Sequence, residues 1–246
     1  MVLEGILQRI RTGKKMLAVL IDPDSIPDES FLVDLCGKAE SSGADLILVG
    51  GSLITNGFFD DCVRVIKRES KLPVLLFPGS LMQISHDADA ILFLSLISGR
   101  NPELLIGKQV LAAPQLKKSR LEVIPTGYML IDGGKTTSVS YMSGTTPIPA
   151  DKPAIAATTA LAGTLLGLKV IYMDAGSGAQ NPVPASVIEA VCEQVDVPLF
   201  VGGGMRTVEQ VTAACKAGAH VIVVGNAFEK DPGLVAELAK AVHGSV

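Results

Sequence analysis

The sequence predicts an α/β protein that folds as one (β/α)₈ TIM barrel over residues 1–246. Eight apolar runs of strand length follow one another along the chain, and helical patterns separate them. Buried parallel strands are continuous Val/Ile/Leu runs, and regular β/α alternation indicates a parallel sheet. The length of 246 residues also matches a single barrel, for which about 250 residues is typical. Eight units favour a closed barrel over an open, doubly wound sheet.

Each predicted strand is followed by a glycine, serine, proline or aspartate, the residues that most often begin turns. In chain order, the predicted strands are Met16–Ile21, Asp45–Val49, Val74–Phe77, Ala90–Leu94, Tyr128–Ile131, Val170–Met173, Leu199–Val201 and Val221–Val224. The predicted helices include Asp28–Ser42, Pro102–Ala113, Ile155–Leu166, Pro184–Gln194 and Thr207–Ala217. Before the first strand, an amphipathic segment starts at Met1, and the turns near Thr12–Lys15 are expected to lie over the barrel bottom.

One segment after strand 5 interrupts this alternation. Residues 133–150 read GGKTTSVSYMSGTTPIPA, a polar stretch without a helical period. Long irregular loops in compact domains usually carry function or are disordered. We therefore expect a modified barrel in which this segment extends over the catalytic face or contacts another subunit. Tyr141 is a predicted contact of a homo-oligomer, since tyrosine is enriched at interfaces; the alternative is a surface loop that merely covers the barrel.

Composition excludes several classes of protein. Apolar residues make up 48% of the chain but aromatics only 4%, so the core must be aliphatic. The net charge of −4, without a Lys/Arg block, argues against nucleic acid as the main partner. Four scattered cysteines indicate reduced thiols, and we see no signal peptide and no apolar run long enough for a transmembrane segment. We expect a cytoplasmic protein.

Three glycine-bearing segments after successive strands predict a phosphate site. They are Tyr172–Ala179, Val201–Arg206 and Val223–Ala227. Glycines at strand ends leave backbone N–H groups accessible, and such donors suit a phosphate. In (β/α)₈ barrels the usual phosphate site lies after strands 7 and 8. The last two segments lie at those positions.

Oxygen ligands follow the first two strands. Asp22 comes directly after strand 1, and Ser52 follows strand 2. The two strand ends are neighbours at one face of a barrel, and Mg²⁺ is usually held by few protein oxygens together with substrate phosphates. We therefore predict a metal site here. The alternative is that Asp22 and Asp24 are turn and helix-cap residues.

Strand 6 supplies the candidate catalytic pair. Alternation along a strand places Tyr172 and Asp174 on one side and Met173 on the other. A phenol and a carboxylate in one cleft suit the binding or deprotonation of a polyol hydroxyl; the alternative is a structural hydrogen-bonded pair. Ser177 between two glycines fits a phosphate loop, and Asn226 is equally consistent with a helix cap or a phosphate donor.

The chain lacks the usual signatures of other enzyme classes. No histidine has a partner at metal-ligand spacing, and no Ser-His-Asp order, G-x-S-x-G or Walker sequence is present. These absences argue against a hydrolase or a P-loop mechanism.

Motifs along nearly the whole chain resemble one family. They are LIDPDS, ILVGGSLIT, LPVLLFPGS, ILFLSLISGRNPELLIG, EVIPTGYMLIDGGKTTSVSYMSGTTPIPADKP, ATTALAGTLLGLKVIYMDAGSGA, VPLFVGGGMRT and VIVVGNAFEKDP. In this order they are similar to the geranylgeranylglyceryl phosphate synthases, in the branch shared by archaea and some bacteria. A generic phosphate-binding barrel would share only the glycine loops.

The resemblance implies a Mg²⁺-dependent prenyltransferase of ether lipid biosynthesis that is a dimer or hexamer. Its substrates would be sn-glycerol 1-phosphate and geranylgeranyl diphosphate or another prenyl diphosphate, and pyrophosphate would be released. By resemblance, Asp22 and Ser52 hold the metal, and Tyr172 and Asp174 are catalytic. The glycerol phosphate positions are Tyr172, Met173, Asp174, Ala175, Gly176, Ser177, Gly178, Gly203, Gly204, Gly225 and Asn226. Many relatives carry Glu at position 174, one methylene longer than the aspartate present here.

The prenyl tail requires a long apolar groove. Candidate lining residues from strand 4 and its loop are Phe93, Leu94, Leu96 and Ile97, with ordinary core packing as the alternative. Two other functions stay open at this stage. One is a different phosphate-ligand barrel enzyme, such as an FMN-dependent oxidoreductase or a phosphosugar isomerase. The other is a binder that retains the phosphate loops without catalysis.

Overall fold

A closed, eight-stranded parallel barrel forms the centre of the molecule. The computed structural model describes residues 1–225, 228 and 233–245. The strands are β1 (Met16–Ile21), β2 (Leu46–Val49), β3 (Val74–Leu76), β4 (Ala90–Leu96), β5 (Glu122–Leu130), β6 (Val170–Asp174), β7 (Leu199–Gly202) and β8 (Val221–Val224). They pair in sequence order, and the register Met16↔Val221 joins β8 to β1. The predicted barrel is confirmed.

Helices surround the barrel. They are α1 (Val2–Arg11), α2 (Glu29–Ser41), α3 (Phe59–Glu69), α4 (Lys108–Lys118), α5 (Ser138–Ser143), α6 (Pro153–Leu165), α7 (Ala185–Cys192), α8 (Val208–Lys216) and α9 (Leu234–His243). A π-helical stretch, Glu103–Gly107, leads into α4. Residues 77–89 join β3 to β4 through turns alone. In the described residues, none of the helices combines the length and apolar character that a membrane crossing requires.

Alternation along the strands divides the core into two layers. Leu17 and Val19 face outward and pack under the helices, whereas Met16 and Ala18 face into the barrel. All four are essentially inaccessible to solvent. Ile6 of α1 packs against the inward layer. Helix α1 therefore covers the barrel bottom, where the sequence predicted a cover from the turn that follows this helix.

Strand β5 begins earlier than predicted. The sequence indicated Tyr128–Ile131, but the strand covers Glu122–Leu130. Pro125 lies inside it, and proline is normally excluded from the middle of a sheet because it has no N–H donor. Here Pro125 is in register with Phe93 on β4, while pairing with β6 starts only at Thr126. The Pro125 carbonyl accepts from the Lys169 amide just before β6, so the proline is tolerated at the edge of the β5–β6 pairing.

The segment 133–150 contains a short helix that was not predicted. Helix α5 is set by its ends: Thr137 and Ser140 form a capping box, and Gly144 ends the helix at a φ of 60°. Ile131 and Ile148 form a bridge that closes the segment at its base. The expectation of a stretch without a helix is therefore wrong, because six residues are too few to show a helical period.

Candidate active site

A cavity of about 480 Å³ opens at the carboxyl ends of the strands. The loops after β1, β2, β3, β6, β7 and β8 contribute to its wall, and Ser138 and Val139 of α5 cover one side. The segment 133–150 thus extends over the predicted catalytic face. The predicted site residues that line the cavity are Asp22, Ser52, Tyr172, Asp174, Ser177, Gly178, Gly203, Gly204 and Gly225.

Three predicted positions lie behind the wall instead of on it. The side chains of Met173 and Ala175 face outward into the layer under the helices. The Gly176 amide donates to the Asp174 carboxylate. Strand alternation accounts for Met173, as expected from its neighbours. Asn226, also predicted for substrate binding, lies outside the described residues.

A buried carboxylate occupies the wall of the cavity on β6. Asp174 is 7% exposed and accepts hydrogen bonds from the Tyr128 hydroxyl and the Gly176 amide, both at 2.6 Å. A Cβ at position 203 would lie 2.5 Å from the carboxylate, so only glycine fits there. This backbone and hydroxyl cage fixes the direction of the carboxylate.

Tyr128 is a site residue that the sequence analysis missed. It is in register with Tyr172 on the neighbouring strand, so both side chains face inward. The motif IPTGY and the predicted strand both contained it, but the sequence does not show which residue of β6 it faces. The useful signal was the register of Tyr128 with Tyr172 across two parallel strands.

Burial controls the protonation of these three groups. It raises the pKa of Asp174 above its usual range, against the lowering effect of the Tyr128 and Gly176 hydrogen bonds. Burial and the Asp174 charge raise the pKa values of Tyr128 and Tyr172 well above the usual range. Both phenols therefore stay protonated and act as donors, and the carboxylate is the group able to accept a proton.

Aromatic residues are concentrated around this pair. Phe77 stacks on Tyr172 with ring centroids 4.8 Å apart, and Tyr128 meets both rings edge-on. Phe200 packs behind Tyr172 at 6.0 Å. The chain has seven phenylalanines and three tyrosines, so four of its ten aromatic residues gather here. They give the centre of the cavity an apolar floor with two hydroxyl donors.

The loops after β6 and β7, next to Asp174, have the features of an anion site. Gly178, Gly203 and Gly204 have φ values of 71°, 80° and 72°, a conformation that favours glycine. Within the described part of the chain, no acceptor is found for their backbone N–H groups. Arg206 lines the same wall, where its guanidinium donates to the Ala179 carbonyl. Amide donors beside a cation suit a phosphate.

The loops after β1 and β2 meet at the predicted metal position. A Cβ at position 51 would lie 2.8 Å from both carboxylate oxygens of Asp22, so this carboxylate packs directly against Gly51, next to Ser52. Burial raises the pKa of Asp22. Oδ1 of Asp22 also accepts from the Asp24 amide at 3.1 Å, so Asp22 caps the following turn as well as lining the cavity.

The donor set fits Mg²⁺ held largely by a substrate. A carboxylate and a hydroxyl are hard oxygen ligands, and Mg²⁺ takes its remaining ligands from phosphates and water. Among the residues that the structure describes, no group of three or more His, Cys, Asp or Glu could form a complete metal cage. Asp24 accepts from Thr55 and Asn56 and ties the two loops together. This role is structural but is not the predicted turn or helix cap, which Asp22 provides.

A family model for the PcrB family matches residues 9–243, almost the full chain. The chain belongs to the PcrB family. A geranylgeranylglyceryl phosphate synthase from Chitinophaga pinensis is 54% identical over 97% of this chain and 94% of its own length. Another from Thermococcus kodakarensis is 49% identical over 88% of this chain and 85% of its own length. The resemblance predicted from the motifs is confirmed.

A solved structure of this family superposes closely on the chain. It is (S)-3-O-geranylgeranylglyceryl phosphate synthase from Thermoplasma acidophilum in complex with sn-glycerol 1-phosphate. The TM-score is 0.93 at 34% identity, covering 99% of this chain and 98% of that one. Fold and chain length are therefore shared with an enzyme of known ligand.

In this member of the PcrB family, a second and mostly apolar pocket of about 130 Å³ adjoins the main cavity. The two share Leu94 and Tyr128 as wall residues. Of the predicted groove residues, Phe93, Leu94 and Leu96 line it. Ile97 does not, and instead packs into the outer core against Gly127 and Gly163.

Gln109 of α4 is one of the few polar residues that line this apolar pocket. Its Nε2 donates to the Leu94 and Leu104 carbonyls, while Oε1 has no hydrogen-bond partner among the described residues. The amide is therefore held by its nitrogen at the wall of the pocket.

Proposed function

We propose that this chain joins the C3 hydroxyl of sn-glycerol 1-phosphate to C1 of geranylgeranyl diphosphate and releases pyrophosphate. The relatives at 54% and 49% identity carry the name of this activity, and the superposable relative binds sn-glycerol 1-phosphate. The observation that carries the proposal is the caged carboxylate of Asp174, which lies in the cavity wall between an anion site and an apolar pocket.

The glycerol phosphate would bind along the β6–β8 side of the cavity. Its phosphate suits the amides of Gly178, Gly203 and Gly204, with Arg206 supplying positive charge. Its hydroxyls would then reach towards Tyr172, whose phenol lines the cavity. The pKa of Tyr172 is raised well above its usual range, so this hydroxyl keeps its proton and acts as a hydrogen-bond donor to the substrate.

Asp174 would orient the C3 hydroxyl and take its proton. The new C3–O–C1 ether bond forms as the bond between C1 and the diphosphate oxygen breaks, and pyrophosphate leaves with the electron pair. An allylic C1 ionises readily, so the nucleophile requires positioning more than activation. The hydrogen bonds from Tyr128 and Gly176 hold the carboxylate in one direction, as this role requires.

The diphosphate would lie between the glycerol site and the loops after β1 and β2. Asp22 and Ser52 are the residues that would hold Mg²⁺ there, since both line the same cavity. When bound, Mg²⁺ would neutralise negative charge on the diphosphate. The prenyl tail would continue into the apolar pocket beside Phe93 and Leu96.

Product analysis tests this proposal. Purified protein is incubated with Mg²⁺, prenyl diphosphates of several lengths and each enantiomer of glycerol phosphate, and products are identified by mass spectrometry. We expect an ether product and equimolar pyrophosphate from sn-glycerol 1-phosphate. A yellow, flavin-containing protein would instead indicate an oxidoreductase, and tight glycerol phosphate binding without turnover would indicate a binder.

Replacement of Asp22 tests the metal position separately. Asp22→Asn should keep the fold and reduce turnover by about 10²–10³, because an amide is a poorer Mg²⁺ ligand than a carboxylate. The measurement is initial rate against Mg²⁺ concentration, with circular dichroism to check folding. Activity close to wild type at limiting Mg²⁺ would remove Asp22 from the site.

A further inference from the structure

Gln83 is a polar side chain that the site described so far does not use. It lies in the helix-free connection between β3 and β4 and is only 1% exposed. Burying an amide is unfavourable unless its polar atoms are hydrogen-bonded. The contacts of this side chain therefore indicate what holds it in the interior.

Both polar atoms of Gln83 bind the backbone of two loops that border the cavity. Oε1 accepts from the Gly51 amide at 3.2 Å and from the Gly79 amide at 3.0 Å. Nε2 donates to the Gly51 carbonyl at 2.8 Å. The side chain thus joins the loop after β2 to the loop after β3 and satisfies both backbone groups of Gly51.

The two loops are in direct contact at this point. A Cβ at position 79 would overlap the Gly51 carbonyl oxygen and would lie 3.1 Å from Cα of Ser52. The other face of Gly51 packs against the Asp22 carboxylate. Gly51 is therefore held between Gln83 on one side and Asp22 on the other, with Ser52 as its neighbour in sequence.

We propose that Gln83 is a positioning residue for the diphosphate side of the active site. It sets the position of Gly51, and through Gly51 the positions of Asp22 and Ser52. This inference rests on the proposed function, in which Asp22 and Ser52 serve the diphosphate. Gln83 makes no contact with substrate in this role, because it lies behind the loop.

The chemistry of the side chain explains why glutamine is required. One oxygen must accept from two N–H groups while a neighbouring nitrogen donates to a carbonyl, and only a side-chain amide does both. Glutamate has no donor for the Gly51 carbonyl and would add a negative charge behind Asp22. Methionine has a similar length but only a weak acceptor.

The test compares Gln83→Met and Gln83→Glu with Ser70→Ala. Ser70 is also a buried polar residue that bonds loop backbone, but it follows α3 at the opposite end of the barrel. Calorimetry measures binding of Mg²⁺ with pyrophosphate and, separately, of sn-glycerol 1-phosphate. Steady-state kinetics gives KM for the prenyl diphosphate and kcat.

We expect both Gln83 variants to weaken Mg²⁺–pyrophosphate binding by about tenfold, which corresponds to about 1.4 kcal/mol. Glycerol phosphate binding should stay within about twofold of wild type, and KM for the prenyl diphosphate should rise. Ser70→Ala should leave both ligands unchanged. Equal losses for both ligands, or unchanged pyrophosphate binding, would overturn the positioning role.

A measurement on the wild-type protein keeps the proposal testable if the variants do not fold. Mg²⁺ with pyrophosphate should slow hydrogen exchange at the Gly51 and Gly79 amides, because a bound diphosphate restrains the loops that Gln83 joins. Unchanged exchange in protein that binds pyrophosphate overturns the role of Gln83 alone. Wild-type protein that binds no pyrophosphate and makes no ether product overturns the proposed function as well.

Discussion

The properties of single residues in this site follow from where the backbone places them. Asp174 and Asp22 are ordinary carboxylic acids, yet burial raises the pKa of each. Asp174 is held by a phenol and an amide, whereas Asp22 packs against the backbone of Gly51 and accepts from the Asp24 amide. The first arrangement suits a directed proton acceptor, and the second places a carboxylate in the cavity wall beside Ser52.

Asp174→Asn should separate activity from stability. Because the fold raises the pKa of Asp174, the ionised form disfavours folding at neutral pH, and the lost stability returns as the pH falls through this raised pKa. The neutral amide avoids that penalty, so the unfolding temperature at pH 7 should be equal or higher. Turnover should fall by about 10²–10⁴, the usual effect of removing a general base.

Two comparisons complete that experiment. Wild-type turnover should decrease with falling pH at values above the usual carboxyl range, because protonated Asp174 accepts no proton. Asp174→Glu should retain substantial activity, although Gly203 leaves little room. Asp45→Asn is the matched control, because Asp45 is a partly buried aspartate at the barrel bottom that accepts from the Leu17 amide and pairs with Arg9. An Asp174→Asn enzyme as active as wild type would make the carboxylate structural.

Replacement of Gly225, which lines the cavity, tests whether the glycerol phosphate binds on the β6–β8 side. A Cβ there would lie 3.6 Å from Leu20, an ordinary contact, whereas a Cβ at Gly204 would lie 2.9 Å from the Asn181 backbone. Gly225→Ala should therefore fold normally and weaken sn-glycerol 1-phosphate binding more than pyrophosphate binding. Calorimetry decides the question, with Gly37→Ala in open space on α2 as control. Equal weakening of both ligands would place the phosphate elsewhere.

At the scale of elements, α1 completes the barrel by filling its lower opening. Its Ile6 is 2% exposed and packs with the inward-facing residues, and the Val2 and Leu3 amides donate to the Glu122 carboxylate at the start of β5. The helix is thus joined to the barrel by an apolar contact and by capping of its free N–H groups.

Ile6→Ala should destabilise the protein by about 2–5 kcal/mol, the usual range for a buried isoleucine truncated to alanine. Urea unfolding followed by circular dichroism measures the change, and Gln8→Ala on the exposed face of α1 is the control. A decrease in the free energy of unfolding below about 1 kcal/mol would mean that the packing of Ile6 contributes little to the stability of the barrel. Turnover of the folded variant should be unchanged because Ile6 is at the end opposite the active site.

The elements that the sequence predicted best are those with long apolar runs. Strands β1 and β8 agree with the structure residue for residue, since their burial on both faces gives an unbroken pattern. The predicted β5 was too short, because the proline inside the strand interrupts the apolar pattern. Helix α5 was missed because capping residues specify it and it has no apolar period. Capping and turn residues at the ends of helices and strands give a weaker signal in the sequence than apolar periodicity does.

At the scale of the molecule, the sequence predicted which residues line the cavity but not the contacts that support them. Strand ends predicted the cavity positions of Asp22, Ser52, Tyr172 and Asp174, because parallel strands in a barrel share one catalytic face. Tyr128 was missed because its role depends on register with a neighbouring strand. Side-chain contacts between residues far apart in the chain depend on tertiary packing, which cannot be derived from a single sequence.

Exposed apolar residues on one side of the barrel mark the surface where we expect self-association. Tyr141 and Met142 of α5 are 79% and 50% exposed, and Val110 and Leu111 of α4 are 62% and 65% exposed. Residues of both helices flank the apolar pocket, so they belong to the same side of the molecule. Large exposed apolar patches usually mark interaction sites.

Tyr141→Ser tests that expectation, since we predict a homo-oligomer with Tyr141 at the contact. Multi-angle light scattering should show a smaller mass for this variant than for wild type, because the substitution removes the largest exposed apolar side chain of α5. Gln8→Ala is the control, since Gln8 is an exposed polar residue of α1 at the barrel bottom and should not affect the mass. A monomeric wild-type protein, or an unchanged mass for Tyr141→Ser, would contradict the prediction and leave α5 as a cover over the active site alone.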